Sequence, residues 1–161
     1  MINNTNRNKL ICLDVSQHFE KINKTRITSL FINDKELGDT GEDEILITLK
    51  NKFGDTITKT KGKYNPFDFE GDNKLIELKT RRNRSYQYPT TMIGHRKILQ
   101  CNDPNKEYYF IFKYTDKILY CLYCVEDFKG FEVKQSGRTD RGLVESDNYI
   151  YIPISYLKEL I

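Results

Sequence analysis

The chain has 161 residues, 38% hydrophobic and 30% charged, with a net charge of +3. That is one domain's worth (1–161), enough to bury a core without disulfides or metals and too apolar for a disordered chain. No apolar run approaches the ~18 residues of a membrane span. The polar, Asn-rich segment Met1–Lys9, expected to fray, lacks the apolar stretch of a signal peptide. The expectation is an intracellular protein, cytoplasmic or nuclear, with no membrane partner.

Ala and Trp are absent, while Ile, Lys, Asn and Tyr abound, which fits an AT-rich source genome, a virus or mobile element included. Cations concentrate at 79–84, Lys-Thr-Arg-Arg-Asn-Arg, and at 59–63. Acidic residues cluster at Asp39, Glu42, Asp43 and Glu44. Of the cysteines Cys12, Cys101, Cys121 and Cys124, the last two make a single CxxC. A structural zinc site needs a second pair, so buried free thiols are expected. His18 and His95 form no metal or triad pattern, and nothing calls for a small-molecule cofactor.

In chain order, Leu10–Val15 and Ile27–Ile32 are short apolar stretches. Gly38–Gly41 is a turn, with Asp39 or Thr40 as helix cap. A helix follows over Glu42–Lys52, since Ile45, Leu46, Leu49 and Phe53 make one stripe, and Gly54 stops it. Residues 56–64 alternate like an exposed strand. A hairpin is expected at 67–79, turning at Gly71-Asp72-Asn73, and a helix over Met92–Gln100. Strands follow at Tyr108–Tyr114 and Ile118–Val125. The stretch 126–148 is polar and shows no clear pattern. A strand at Ile150–Ile154 and a short helix at Ser155–Leu160 close the chain. Helix, strands, helix, strands suggests an α/β domain with a mixed sheet and helices on its faces.

The hairpin carries the chemistry. A loop from Gly71 to Lys74 pairs Glu70 with Leu75, Phe69 with Ile76 and Asp68 with Glu77. Cross-strand partners share a face, so Phe67, Phe69, Ile76 and Leu78 fall on one side and Asp68, Glu77 and Lys79 on the other. A one-residue slip would mix the faces. Two facing carboxylates repel, and a hard cation such as Mg²⁺ offsets that cost, taking one or two carboxylates plus waters and phosphate. Lys79 could hold a water or stabilise phosphate charge. Glu42 falls on the buried helical stripe and needs a partner, a metal or a lysine at the sheet. Glu44 points to solvent. Arg81, Arg82 and Arg84 could reach phosphates. Tyr86 and Tyr88 are expected to pack at the base of that loop.

Gly41-Glu42-Asp43-Glu44-Ile45-Leu46, then Pro66-Phe67-Asp68, then Ile76-Glu77-Leu78-Lys79 resemble the PD-(D/E)XK nuclease superfamily over roughly 38–125. Phe67 separates Pro66 from Asp68, a small departure from its motif. The resemblance implies a restriction-endonuclease-like fold, with a central mixed sheet flanked by helices. It implies Asp68 and Glu77 as metal ligands, Glu42 as an accessory ligand and Lys79 serving the water. It also implies an added Lys or Gln on the following helix, for which Lys97 and Gln100 are the candidates. The function implied is a Mg²⁺-dependent DNA endonuclease, with Mn²⁺ as substitute, acting on duplex most easily as a homodimer. The alternative is a catalytically inactive nucleic-acid-binding or assembly module on the same fold.

Overall fold

The computed structural model describes residues 41–62, 64–138 and 145–161. The expectations for the first 40 residues, among them the cap at Asp39 or Thr40, Cys12 and His18, lie outside the described residues.

Residues 41–53 are helical (α1), and the spacing of Ile45 and Leu49 turns one stripe into the core. Strands β1 (Thr58–Lys59), β2 (Phe69–Glu70) and β3 (Lys74–Thr80) follow, then β4 (Thr90–Gly94) and α2 (His95–Leu99). Next come β5 (Glu107–Lys113), β6 (Ile118–Leu122) and α3 (Val125–Lys129). The chain ends with β7 (Glu132–Arg138), β8 (Glu145–Pro153), a 3₁₀ turn at Ile154–Tyr156 and β9 (Lys158–Glu159).

A six-stranded sheet runs β1-β2-β3-β5-β6-β9, and a three-stranded sheet runs β4-β8-β7. Among the described strands only β3 and β5 pair in parallel, so the larger sheet is mixed, as expected. A parallel pair needs a long crossover, and β4 with α2 supplies it. One face of the large sheet packs Phe69, Ile76, Leu78 and Ile111 against Ile45 and Leu49 of α1. The other packs Phe67, Phe110 and Phe112 against Ile93, Ile98, Phe128, Ile150 and Ile152, contributed by the smaller sheet, α2 and α3. A Cβ on Gly41 would stand 2.5 Å from Thr80 Oγ1, so glycine lets α1 lie this close to the end of β3.

Several elements differ from expectation. Of the described residues in 56–64 only Thr58–Lys59 are strand, and Gly62, at φ 102°, breaks the extended run beyond them. The helix expected over Met92–Gln100 begins only at His95. Before it, Thr91 and Ile93 alternate inward and β4 pairs with β8, so a period of two prevails. The unassigned stretch holds α3 and β7, which pairs with β8 from Glu132↔Tyr151 to Arg138↔Glu145. The terminal helix is replaced by the 3₁₀ turn and β9, because pairing with β6 buries Leu160. β6 ends at Leu122, so Cys124 lies beyond the strand. Cys101, Cys121 and Cys124 are free thiols, and burial pushes Cys121 up to about 12.

Candidate active site

Phe69 pairs with Ile76 and Glu70 with Leu75, the register that the sorting of the hairpin faces requires. β2 then stops. The register does not extend to the expected Asp68–Glu77 pair: the Asp68 N–H bonds the Ile76 carbonyl at 3.0 Å, so Asp68 and Phe69 both lie against Ile76. Its side chain turns to the strand edge, where Oδ2 accepts the Leu78 N–H at 2.7 Å. The carboxylate thus replaces the main-chain partner that a longer β2 would have offered Leu78. With the strand ended, alternation lapses. Phe67, expected beside Phe69, instead joins the opposite core, its ring 5.5 Å from Tyr108.

Glu77 lies mid-strand on β3 and is 2% exposed. A buried carboxylate is costly unless paired. Two lysines pair it. Lys79, two residues on and on the same face, donates to Oε1. Lys97 approaches from α2, its ammonium 2.8 Å from Oε2. That second approach is a charge contact rather than an aligned hydrogen bond. Lys97 also donates to the Pro66 carbonyl and lies 5.4 Å from the Phe67 ring centre. Helix α2 therefore closes over the stretch that carries Asp68.

Burial, and then the charge of Glu77, push Asp68 up to about 6, with Glu42 adding to the push. The Leu78 N–H and Lys79 pull in the other direction. Glu42 is half-buried and finds a lysine at the sheet: Lys59 of β1, at 3.0 Å. Lys59 also bonds Asp43, and Asp43 and Glu42 together hold its ammonium pKa above the usual value. Sequence reasoning misses Lys59 as a site residue; its only signal is membership of the lysine run at 59–63. Glu44 is exposed and pairs with Lys113.

The chain matches the family model described as "Phage putative PDDEXK endonuclease" over residues 56–160, more than half its length. It belongs to this PD-(D/E)XK family. The matched segment holds Asp68, Glu77, Lys79 and Lys97, while Glu42 precedes it. It runs past the 38–125 stretch that carried the resemblance and takes in β7 and β8. No curated protein and no solved structure gives a significant match.

PD-(D/E)XK nucleases generally use a divalent metal ion. Among the described residues no three His, Cys, Asp or Glu side chains are grouped to hold one. The donor set still fits a cation that keeps much of its water: two hard carboxylates, Asp68 and Glu77, converge at the end of β2. Burial first, and then the charge of Glu77, raise the Asp68 pKa, and a bound cation would offset the second of these. Here Lys79 and Lys97 do that balancing.

The arginines leave β3 in order. Arg81 donates to the Met92 carbonyl at 2.6 Å and lies 5.8 Å from the Phe112 ring centre. Arg82 and Arg84 are exposed, and Arg84 bonds the Tyr86 hydroxyl at 2.6 Å. Gln100, at the C-cap of α2, is exposed. The loop is tied down by Asp116, whose carboxylate accepts the Ser85 N–H at 2.7 Å and its hydroxyl at 2.8 Å. No sequence pattern links those two residues. No described helix is long and apolar enough to cross a membrane.

Proposed function

We propose that this chain is a Mg²⁺-dependent endonuclease hydrolysing DNA phosphodiester bonds, with Mn²⁺ able to substitute. Asp68 and Glu77 would hold the metal, with Glu42 as accessory ligand. The observation that supports this is the convergence of Asp68, Glu77, Lys79 and Lys97 at one end of β2, around a carboxylate 2% exposed. A divalent cation there supplies Lewis acidity and neutralises charge on the phosphoryl group. In the reaction, attack of water on phosphorus makes one P–O bond as the opposite P–O bond breaks; the water gives up its proton to solvent and the leaving oxygen takes one from solvent, which leaves a phosphate monoester and a free hydroxyl end. The Lys79 side chain, 36% exposed, can orient that water or stabilise the phosphoryl oxygens. Lys97 balances Glu77 and, with Gln100, Arg82 and Arg84, would face flanking phosphates, while Arg81 holds the loop to the Met92 carbonyl. Cutting both strands of a duplex would call for a homodimer. A phage-encoded, intracellular nuclease fits the family description and the AT-rich composition.

The test is incubation with labelled DNA and RNA of several structures under Mg²⁺, Mn²⁺ or chelator. Metal-dependent internal cleavage of DNA that disappears in Glu77→Ala supports the reading. No cleavage of any substrate with either metal sinks it.

A second reading, an inactive binding or assembly module, is favoured by one observation. Glu77 and Glu42 already have ammonium partners, Lys79 and Lys97 for the first and Lys59 for the second. Such a module would show no Mg²⁺- or Mn²⁺-linked rise in melting temperature.

A further inference from the structure

Tyr86 and Tyr88, expected to pack at the loop base, are 69% and 57% exposed, and Met92 is 37% exposed. The loop presenting them is held firmly, by Asp116 at Ser85 and by Arg81 at the Met92 carbonyl. Against it opens a cavity of about 300 Å³, lined by Arg81, Asn83, Tyr88, Met92, Tyr114 and Tyr151. That is the lower end of the size range for small-ligand sites. Its walls combine aromatic faces with the polar groups of Asn83, Arg81 and the tyrosine hydroxyls. A flat ring with an apolar face and a hydrogen-bonding edge suits such a wall.

We propose that this cavity takes an unpaired nucleobase from the strand being cut, so that the substrate is single-stranded or locally opened DNA. The position of the cavity supports this. The Arg81 N–H still bonds the Lys113 carbonyl at 2.8 Å, so Arg81 continues β3 two residues past Lys79. At about 3.3 Å per residue that is roughly 7 Å. A phosphate at Asp68, Glu77 and Lys79 therefore places a neighbouring nucleotide at the mouth of the cavity. Bases inside a duplex stack cannot enter; a base must be unpaired or extruded first. The location of the phosphate rests on the nuclease reading above.

The test is binding in chelator, where no metal-dependent cleavage occurs. The full chain is titrated with a short oligothymidylate and with an abasic oligomer of equal length and charge. The chain should prefer the thymidylate by about 5- to 150-fold, the effect of one stacked base. Tyr88→Ala should remove most of that preference and leave abasic binding unchanged, while Tyr88→Phe should keep it. Melting curves verify that these variants remain folded, as expected for a side chain more than half exposed. Equal binding of both oligomers by the unmodified chain overturns the proposal. So does a Tyr88→Ala variant that keeps the preference or weakens both oligomers alike. The cleavage panel separates this from the nuclease reading: a chain that cuts DNA without any base preference loses only the pocket, and one with the preference that cuts nothing keeps a base site but loses the nuclease and with it the cut strand as the source of the base.

Discussion

Lys97 of α2 reaches across to Glu77 of β3, its ammonium 2.8 Å from Oε2, and so joins the crossover helix to the strand it covers. Removing one partner of a buried pair strands the other. Lys97→Met should therefore destabilise the metal-free protein, though Lys79 remains and the Lys97 side chain is 22% exposed. A loss of about 1–3 kcal/mol is expected. Saturating Mg²⁺ should restore more stability to the variant than it adds to the unmodified chain. Denaturant unfolding with and without Mg²⁺ checks this; equal metal effects would refute it.

Asp68→Asn and Glu77→Gln should each reduce cleavage at least a hundredfold while DNA binding is largely kept, since affinity comes from cations. Their stabilities should diverge. An amide at 68 can still accept the Leu78 N–H and no longer repels Glu77, so Asp68→Asn should be as stable as the parent or more so. An amide at 77 leaves Lys79 and Lys97 without their counter-charge, so Glu77→Gln should be less stable. Cleavage rates and melting temperatures measured together give the answer.

Asp68 titrates near 6 in the fold, because of burial and Glu77, against about 3.9 in an unfolded chain. The folded state therefore binds more protons between those values, and the Asp68 contribution falls as pH rises from about 4 through 6. Other groups titrate in the same range, so the measurable quantity is the stability difference between the parent and Asp68→Asn, in chelator. It should shift in favour of the variant as pH rises across that window and level off above it. A pH-independent difference would refute the assignment.

The hairpin was legible because strict alternation and a Gly-Asp-Asn turn leave one register that sorts Phe69 and Ile76 from Glu77. Asp68 and Phe67 were legible only in part. Alternation is a property of paired strands, and β2 ends between Asp68 and Phe69. The inward turn of Glu42 followed from its stripe, but the identity of Lys59 as its partner needed three-dimensional pairing of β1. Lys97 came from family resemblance alone, since the strand preceding its helix reads as helix in the sequence. The exposure of Tyr86 and Tyr88 depends on Ser85 meeting Asp116, 31 residues away, which no local pattern encodes.

The arginines should separate into two kinds. Arg82 and Arg84 are exposed on the loop beyond Lys79, while the Arg81 guanidinium is engaged with the Met92 carbonyl and lies over Phe112. Replacing Arg82 and Arg84 with Ala should weaken binding to every duplex sequence alike, because arginine–phosphate pairs carry no sequence information. Each phosphate that goes unneutralised in the variant should flatten the log–log salt dependence by about 0.9. Cleavage at saturating DNA should stay near normal, since Asp68 and Glu77 are untouched. Arg81→Ala should act differently, lowering the melting temperature by freeing the loop from β4. Binding titrations across a range of salt, with melting curves for each variant, decide the matter. If the slope and affinity of the Arg82/Arg84 variant match the parent, the loop is a solvated one and the DNA path lies over another face of the domain.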